Sequence, residues 1–129
     1  MGPCLTCYIP KENNLSLSID IDLILDEITN GNLTRTRKGN HWEVYFNERS
    51  FTVSIEKADL EEIINDLIIE KIEPVSLDLD QPIFNLGVCC NVKNKEINNN
   101  FVNQFLNHLE KKSIKVIGLI GSNEFNLNL

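Results

Sequence analysis

The stretch ADLEEIINDLIIEKIEPVSLDLD, residues 58–80, organises the rest of the chain. Its apolar residues recur at helical spacing and predict an amphipathic helix over 58–73, ended by Pro74. The stripe consists of Leu60, Ile63, Ile64, Leu67, Ile68 and Ile72. Asp59 and Glu62 have the spacing of a capping box at the helix start, with Asp in place of the usual Ser or Thr.

The same stretch holds the whole charge imbalance of the protein. It contains eight Asp and Glu residues and one Lys, so its net charge equals the −7 of the 129-residue chain. Carboxylates three or four residues apart on a helix repel each other by roughly a few tenths of a kcal/mol per pair. The acidic face is therefore either a solvated surface or a recognition surface for a basic protein. The candidate partner-binding residues are Asp59, Glu62, Asp66, Glu70, Glu73, Asp78 and Asp80.

Upstream of this helix the pattern changes to alternation. Between residues 33 and 55, two turns separate runs in which every second residue is apolar, which predicts a three-stranded antiparallel meander with one apolar face. The alternating apolar residues are Trp42, Val44, Phe46, Phe51, Val53 and Ile55. Because the helix over 58–73 follows at once, we expect it to cover that face. The meander carries a basic cluster, which consists of Arg35, Arg37 and Lys38. These side chains could form ion pairs with an acidic helix of the same molecule.

The N-terminal region begins with a strand and continues with an ambiguous segment. Residues 4–9 read as a strand ended by Pro10. Residues 15–23 alternate like a strand, whereas the apolar residues of 21–28 have helical spacing. We favour a helix over about 18–29, with Ser18 or Asp20 as its N-cap and Gly31 as its stop, and the strand alternative stays open.

The C-terminal third has the order strand, helix, strand, over residues 83–92, 94–112 and 114–120. This order predicts a βαβ unit with two parallel strands. Residues 75–79 fit a short edge strand or an extended loop. The chain is therefore predicted to form a single α+β domain over residues 1–129. Its mixed five- or six-stranded sheet combines an antiparallel meander with the C-terminal βαβ unit, and two or three helices lie mainly on one face.

The four cysteines do not predict a metal site. Cys4 and Cys7 are three apart in a strand and point to opposite faces, and the adjacent Cys89 and Cys90 also diverge. Zinc or redox chemistry stays a minor alternative, because four thiolates could converge only if both strands were broken. The cysteines are expected to be reduced and packed as small apolar residues. Free thiols, the lack of an N-terminal signal and the lack of a membrane-length apolar run predict a cytoplasmic protein.

No catalytic or cofactor signature appears in the sequence. His41 and His108 have no nucleophile or carboxylate at a diagnostic offset, and no glycine-rich segment opens a helix as a phosphate loop must. We therefore predict no enzyme activity, no cofactor and no metal. The acidic balance also disfavours nucleic acid as a partner, since phosphate binding needs a basic field.

In size, acidity, lack of catalytic residues and α+β layout, the chain resembles bacterial immunity proteins, which neutralise a cognate nuclease or another toxin. The resemblance is one of general character over the whole chain. It implies that the acidic surface occupies a basic substrate cleft of the toxin or an adjacent site, with Trp42 or Tyr45 as an aromatic anchor if its side chain faces outward. The alternative is a small-ligand-binding or regulatory α+β domain, with a homodimer as one form of it, and its sign would be a closed apolar pocket.

Overall fold

The N-terminal strand occupies the interior of a six-stranded sheet. In the computed structural model, which describes residues 4–30, 35–69, 81–90, 94–121 and 125, the strand order is β2-β3-β4-β5-β1-β6. The strands are β1 (Cys4–Pro10), β2 (Arg35–Lys38), β3 (His41–Phe46), β4 (Arg49–Lys57), β5 (Ile83–Cys90) and β6 (Ile117–Ile120). β1 pairs with β5 on one side and with β6 on the other, antiparallel in both cases.

Three helices complete an α+β fold and confirm the predicted class. They are α1 (Asn14–Ile28), α2 (Leu60–Ile69) and α3 (Lys95–Lys111). The meander β2–β3–β4 is present as expected, but every described pairing is antiparallel, so the sheet is not mixed. β5 and β6 do run in the same direction, yet β1 lies between them and pairs with both. The predicted edge strand at residues 75–79 lies outside the described residues.

The main core lies between the apolar face of the meander and the helices α1 and α3. Phe51 of β4 stacks on Phe101 of α3 with ring centroids 4.2 Å apart, and Phe46 packs at a tilt against the same ring. Leu17, Ile21, Ile24, Leu25 and Ile28 supply the α1 side of this core. Two helices on one face confirm the expected layering.

The prediction that α2 covers the meander is wrong. Ile63 of α2 belongs to a separate small core with Tyr8, Ala58, Ile83 and Ile117. In β1, Leu5, Cys7 and Ile9 face the main core while Tyr8 faces the small one, so α2 packs on the opposite face of the sheet. Apolar periodicity shows that a helix has a buried side, but it does not show which face of a sheet buries it.

α1 begins four residues earlier than expected. The Ser16 N–H donates to Oδ1 of Asn13 at 2.8 Å, so Asn13 is the N-cap, and Ser18 is instead buried within the helix. Leu15, Ile19 and Leu23 are 68%, 50% and 48% exposed and lie four residues apart on the outer side. The strand-like alternation of residues 15–23 therefore arises from two apolar stripes on different sides of one helix.

Polar contacts fix α1 to its neighbours. Asp22 accepts a hydrogen bond from Nε1 of the buried Trp42 at 2.8 Å and pairs with Arg37 at 2.6 Å. Glu27 lies 3.2 Å from Nε2 of His108 and 3.8 Å from Nζ of Lys112, at the end of α3. Of the basic cluster on the meander, Arg37 thus does meet an acidic helix of the same molecule, and this helix is α1.

Gly121 follows β6 at a point where no side chain fits. Its φ is +86°, and a Cβ there would lie 2.4 Å from the carbonyl oxygen of Cys4. Gly39 also has a positive φ, +61°, but a Cβ added to it would meet no atom within 4 Å. Substitutions at these two positions therefore differ in one respect: both place a side chain on a backbone with positive φ, but only the one at Gly121 adds a steric clash.

We expect Gly39→Ala to lower the free energy of unfolding by about 1–2 kcal/mol, since only the left-handed conformation is unfavourable there. Gly121→Ala should cost clearly more, because β1 or the chain after β6 must also shift. Equilibrium urea unfolding of both variants measures the difference. Equal losses would show that β1 and residue 121 are not in close contact.

Candidate protein-binding surface

The start of α2 presents a cluster of carboxylates. Asp59, Glu61, Glu62 and Asp66 line, together with Asn65, a shallow depression of about 370 Å³ that opens to solvent. Asp59, Glu61 and Glu62 are exposed, whereas Asp66 is half-buried. We call these four carboxylates the α2 acidic surface.

Asp59 holds the beginning of this surface in place. The N–H of Glu62 donates to Oδ1 of Asp59 at 3.2 Å, which is the capping contact that the spacing of the two residues predicted. Acidic residues in the first turn of a helix interact favourably with its dipole, by about 0.3–1 kcal/mol each at exposed positions. The clustering of negative charge at the start of α2 is therefore less costly than the same cluster would be further along the helix.

Asp66 is anchored to the sheet through Tyr8. The Tyr8 hydroxyl donates to Oδ2 of Asp66, and the Tyr8 side chain is fully buried in the small core. Burial raises the pKa of Tyr8 well above its usual value of 10, and the hydrogen bond to Asp66 and the charges of Asp66 and Glu62 raise it further. The phenol therefore stays protonated and keeps donating to the carboxylate.

The structure brings together three of the seven predicted partner-binding residues. Asp59, Glu62 and Asp66 share one surface, whereas Glu70, Glu73, Asp78 and Asp80 lie outside the described residues. Glu61 joins the surface although the sequence analysis did not nominate it. Glu61 is not three or four residues away from Asp59 or Asp66, so it does not belong to the predicted acidic stripe. Its position in the first turn of the helix could have identified it.

Only one of the two expected aromatic anchors is accessible. Trp42 is fully buried in the main core, so it does not meet the condition that an anchor must face outward. Tyr45 is 58% exposed and, by strand alternation, points to the sheet face on which α2 lies. Trp42 faces inward because it shares one side of β3 with Val44 and Phe46, all members of the main core.

The cysteines diverge as predicted, but strand pairing creates a contact that the sequence analysis missed. Cys7 and Cys90 are buried in the main core, while Cys4 and Cys89 lie on the other face of the sheet. Cys4 is directly opposite Cys89 in the β1–β5 ladder. Cysteines this far apart in sequence meet only because β1 pairs with β5, and no local pattern reveals that.

Other candidate sites are open or incomplete. A depression of about 460 Å³ beside the end of α3 is lined by apolar side chains together with Glu110 and Lys115, and it opens to solvent. The small-ligand alternative, which needs an enclosed pocket, stays a prediction. Within the described ranges, no group of three or more His, Cys, Asp and Glu side chains could hold a metal ion. Nor is any helix in that part of the chain both long and apolar enough to cross a membrane.

Comparison with protein-family models, with curated proteins and with solved structures found no match to this chain.

The Tyr8 to Asp66 contact predicts a pH-dependent stability difference. Tyr8→Phe should lower the free energy of unfolding by about 1–3 kcal/mol at pH 7, since a hydrogen bond to a charged group is lost. Because the pKa of Tyr8 is raised in the folded state, its contribution is complete below pH 10 and declines as the pH rises further and the unfolded phenol ionises. The difference between wild type and variant should therefore shrink above pH 10.

Urea unfolding at intervals from pH 7 to pH 11 measures this difference, and Tyr45→Phe makes the same change of atoms at an exposed position. We expect Tyr45→Phe to change the free energy of unfolding less than Tyr8→Phe does at pH 7, because the Tyr45 side chain is 58% exposed. A Tyr8→Phe difference that stays constant through pH 11 would contradict the assignment.

Proposed function

We propose that the chain is an immunity-type protein, which binds a cognate bacterial toxin that presents a basic surface and neutralises it. The proposed contact is the α2 acidic surface, and the toxin is proposed to be a nuclease. The chain itself then needs no catalytic group, because inhibition requires only that the contact block the toxin's substrate.

The observation that carries the proposal is a contrast between the two acidic helices. On α1, Asp20 pairs with Lys11 at 3.0 Å, Asp22 with Arg37 at 2.6 Å, and Glu27 with Lys112 at 3.8 Å. Among the described residues, no cation forms an ion pair with the α2 acidic surface. Three carboxylates of α1 are thus paired with cations of the molecule, whereas Glu61 and Glu62 of α2 are exposed and pair with no cation among the described residues.

Such a surface suits competition with a nucleic-acid substrate. A nuclease binds phosphates through Lys and Arg side chains, and these are the groups that clustered carboxylates attract. Complementary charge raises the association rate and selects against acidic proteins. The shallow depression lined by Glu61, Glu62 and Asp66 opens to solvent, so a basic side chain of a partner can approach several carboxylates at once.

Neutralising two carboxylates tests the contact without disturbing the fold. Glu61 and Glu62 are the best choice, because the side chains of Asp59 and Asp66 also accept hydrogen bonds that hold α2. We expect Glu61→Gln/Glu62→Gln to weaken binding of the proposed cognate toxin by about 10–100-fold, or about 1.4–2.7 kcal/mol, mainly through slower association and with a smaller dependence on salt. Surface plasmon resonance at several salt concentrations measures both quantities.

The matched control is Glu96→Gln/Glu110→Gln, which removes the same net charge from exposed positions on α3, on the other face of the sheet. It should change the affinity less than about threefold, since charges on the far face lie beyond the Debye length of about 8–10 Å. Equal losses in the two double variants would show that net charge, and not the α2 acidic surface, governs binding. Wild-type protein that neither binds the toxin domain nor protects cells producing it would contradict the proposed function.

A further inference from the structure

We propose that Cys4 and Cys89 form a dithiol site that reacts with hydroperoxides to give a disulfide between β1 and β5. This inference is independent of toxin binding. It rests on the pairing of two strands and on the difference in surroundings between the four cysteines.

The positions of the two residues match the needs of a disulfide. Cys4 and Cys89 are Cα partners in an antiparallel ladder. Directly opposed residues in such ladders have Cα atoms about 4.5–5.5 Å apart. That range falls within the roughly 4.4–6.8 Å found across disulfides. Both side chains lie on the sheet face opposite the main core, so the two thiols are neighbours across the ladder.

The other two cysteines lack such a partner. Cys7 is opposite Leu86 and Cys90 is opposite Phe51, and both thiols are buried in the main core. They lie on the same strands as the proposed pair but point to the other face of the sheet. Cys7 and Cys90 are therefore internal controls, with the same chemistry, the same strands and no neighbouring thiol in register.

Exposure decides which sulfur reacts first. Cys4 is exposed, whereas Cys89 is half-buried. Burial is the largest cause that raises the pKa of Cys89 to about 12, and the hydrogen bond with Cys4 raises it as well. Cys89 therefore stays protonated and is the second thiol to react, while Cys4 meets the peroxide.

The reaction has two balanced steps. The Cys4 thiolate attacks one peroxide oxygen, the O–O bond breaks, and the other oxygen leaves as water after taking up a proton, so Cys4 becomes a sulfenic acid. The Cys89 sulfur then attacks the Cys4 sulfur, the S–O bond breaks, and the leaving hydroxide takes the Cys89 proton to form a second water. In total, the two thiols lose two electrons, and one hydrogen peroxide is reduced to two waters. The fixed position of Cys89 offsets its small thiolate fraction.

The test uses the full chain and hydrogen peroxide as the probe. After oxidation, free thiols are alkylated in denaturant and the digest is mapped by mass spectrometry. We expect one linked peptide pair that contains Cys4 and Cys89, loss of two hydrogens from the intact mass, full alkylation of Cys7 and Cys90, and reversal by dithiothreitol. A link between Cys4 and Cys7, a link between two chains, or four alkylated thiols would overturn the proposal.

Variants separate the two steps. Cys89→Ser should stop the reaction at the sulfenic acid, so that dimedone labels Cys4 at least tenfold more than in wild type. Cys4→Ser, at an exposed position, should abolish the disulfide, and Cys7→Ala should leave its yield within twofold of wild type. Dimedone labelling of Cys4 that is equal in wild type and Cys89→Ser would show that Cys89 does not resolve the sulfenic acid.

Discussion

The insertion of β1 between β5 and β6 is the contact on which the other layers depend. β1 has seven residues and pairs with β5 on one side and β6 on the other. Both partner strands come more than half the chain length later in the sequence. Its alternation sends Leu5, Cys7 and Ile9 into the main core and Tyr8 into the small one. A strand bonded on both sides and buried on both faces is costly to remove, because both cores and two ladders are lost together. At Gly121 the chain after β6 comes so close to β1 that a Cβ on this residue would clash with the carbonyl oxygen of Cys4.

The sequence predicted the elements well and their long-range arrangement poorly. The meander follows from local alternation and turns, and the helix of residues 95–111 follows from one apolar stripe, so both are confirmed. The antiparallel pairing of β1 with β5 and β6 depends on segments far apart in the chain, and periodicity carries no information about such pairs. α1 was ambiguous for a different reason. Its exposed residues Leu15, Ile19 and Leu23 are as apolar as its buried ones, so the helical stripe was masked.

The candidate site shows the same division between local and distant information. The capping contact between Asp59 and Glu62 is a matter of three residues and was predictable. The hydrogen bond between Tyr8 and Asp66 was not predictable, because the two residues are 58 positions apart in the sequence. Local patterns predicted only that Tyr8 lies in a strand. The inward direction of Trp42 depends on which face of β3 is covered, and that in turn depends on where α1 and α3 pack.

The α2 acidic surface therefore combines two kinds of carboxylate. Asp59 accepts a hydrogen bond that caps the start of α2, and Asp66 accepts one from Tyr8 that holds the helix against the sheet. Glu61 and Glu62 lie between them and are exposed. A partner that binds these two side chains contacts a helical segment that is already ordered by Asp59 before it and Asp66 after it. Binding therefore costs little backbone entropy of this protein. The negative charge is unfavourable for α2 alone, but the helix dipole and the buried phenol of Tyr8 offset part of that cost before any partner arrives. β1 supplies both Tyr8 and Cys4 to this face of the sheet, so the surface proposed for binding and the dithiol proposed for oxidation depend on the same inserted strand.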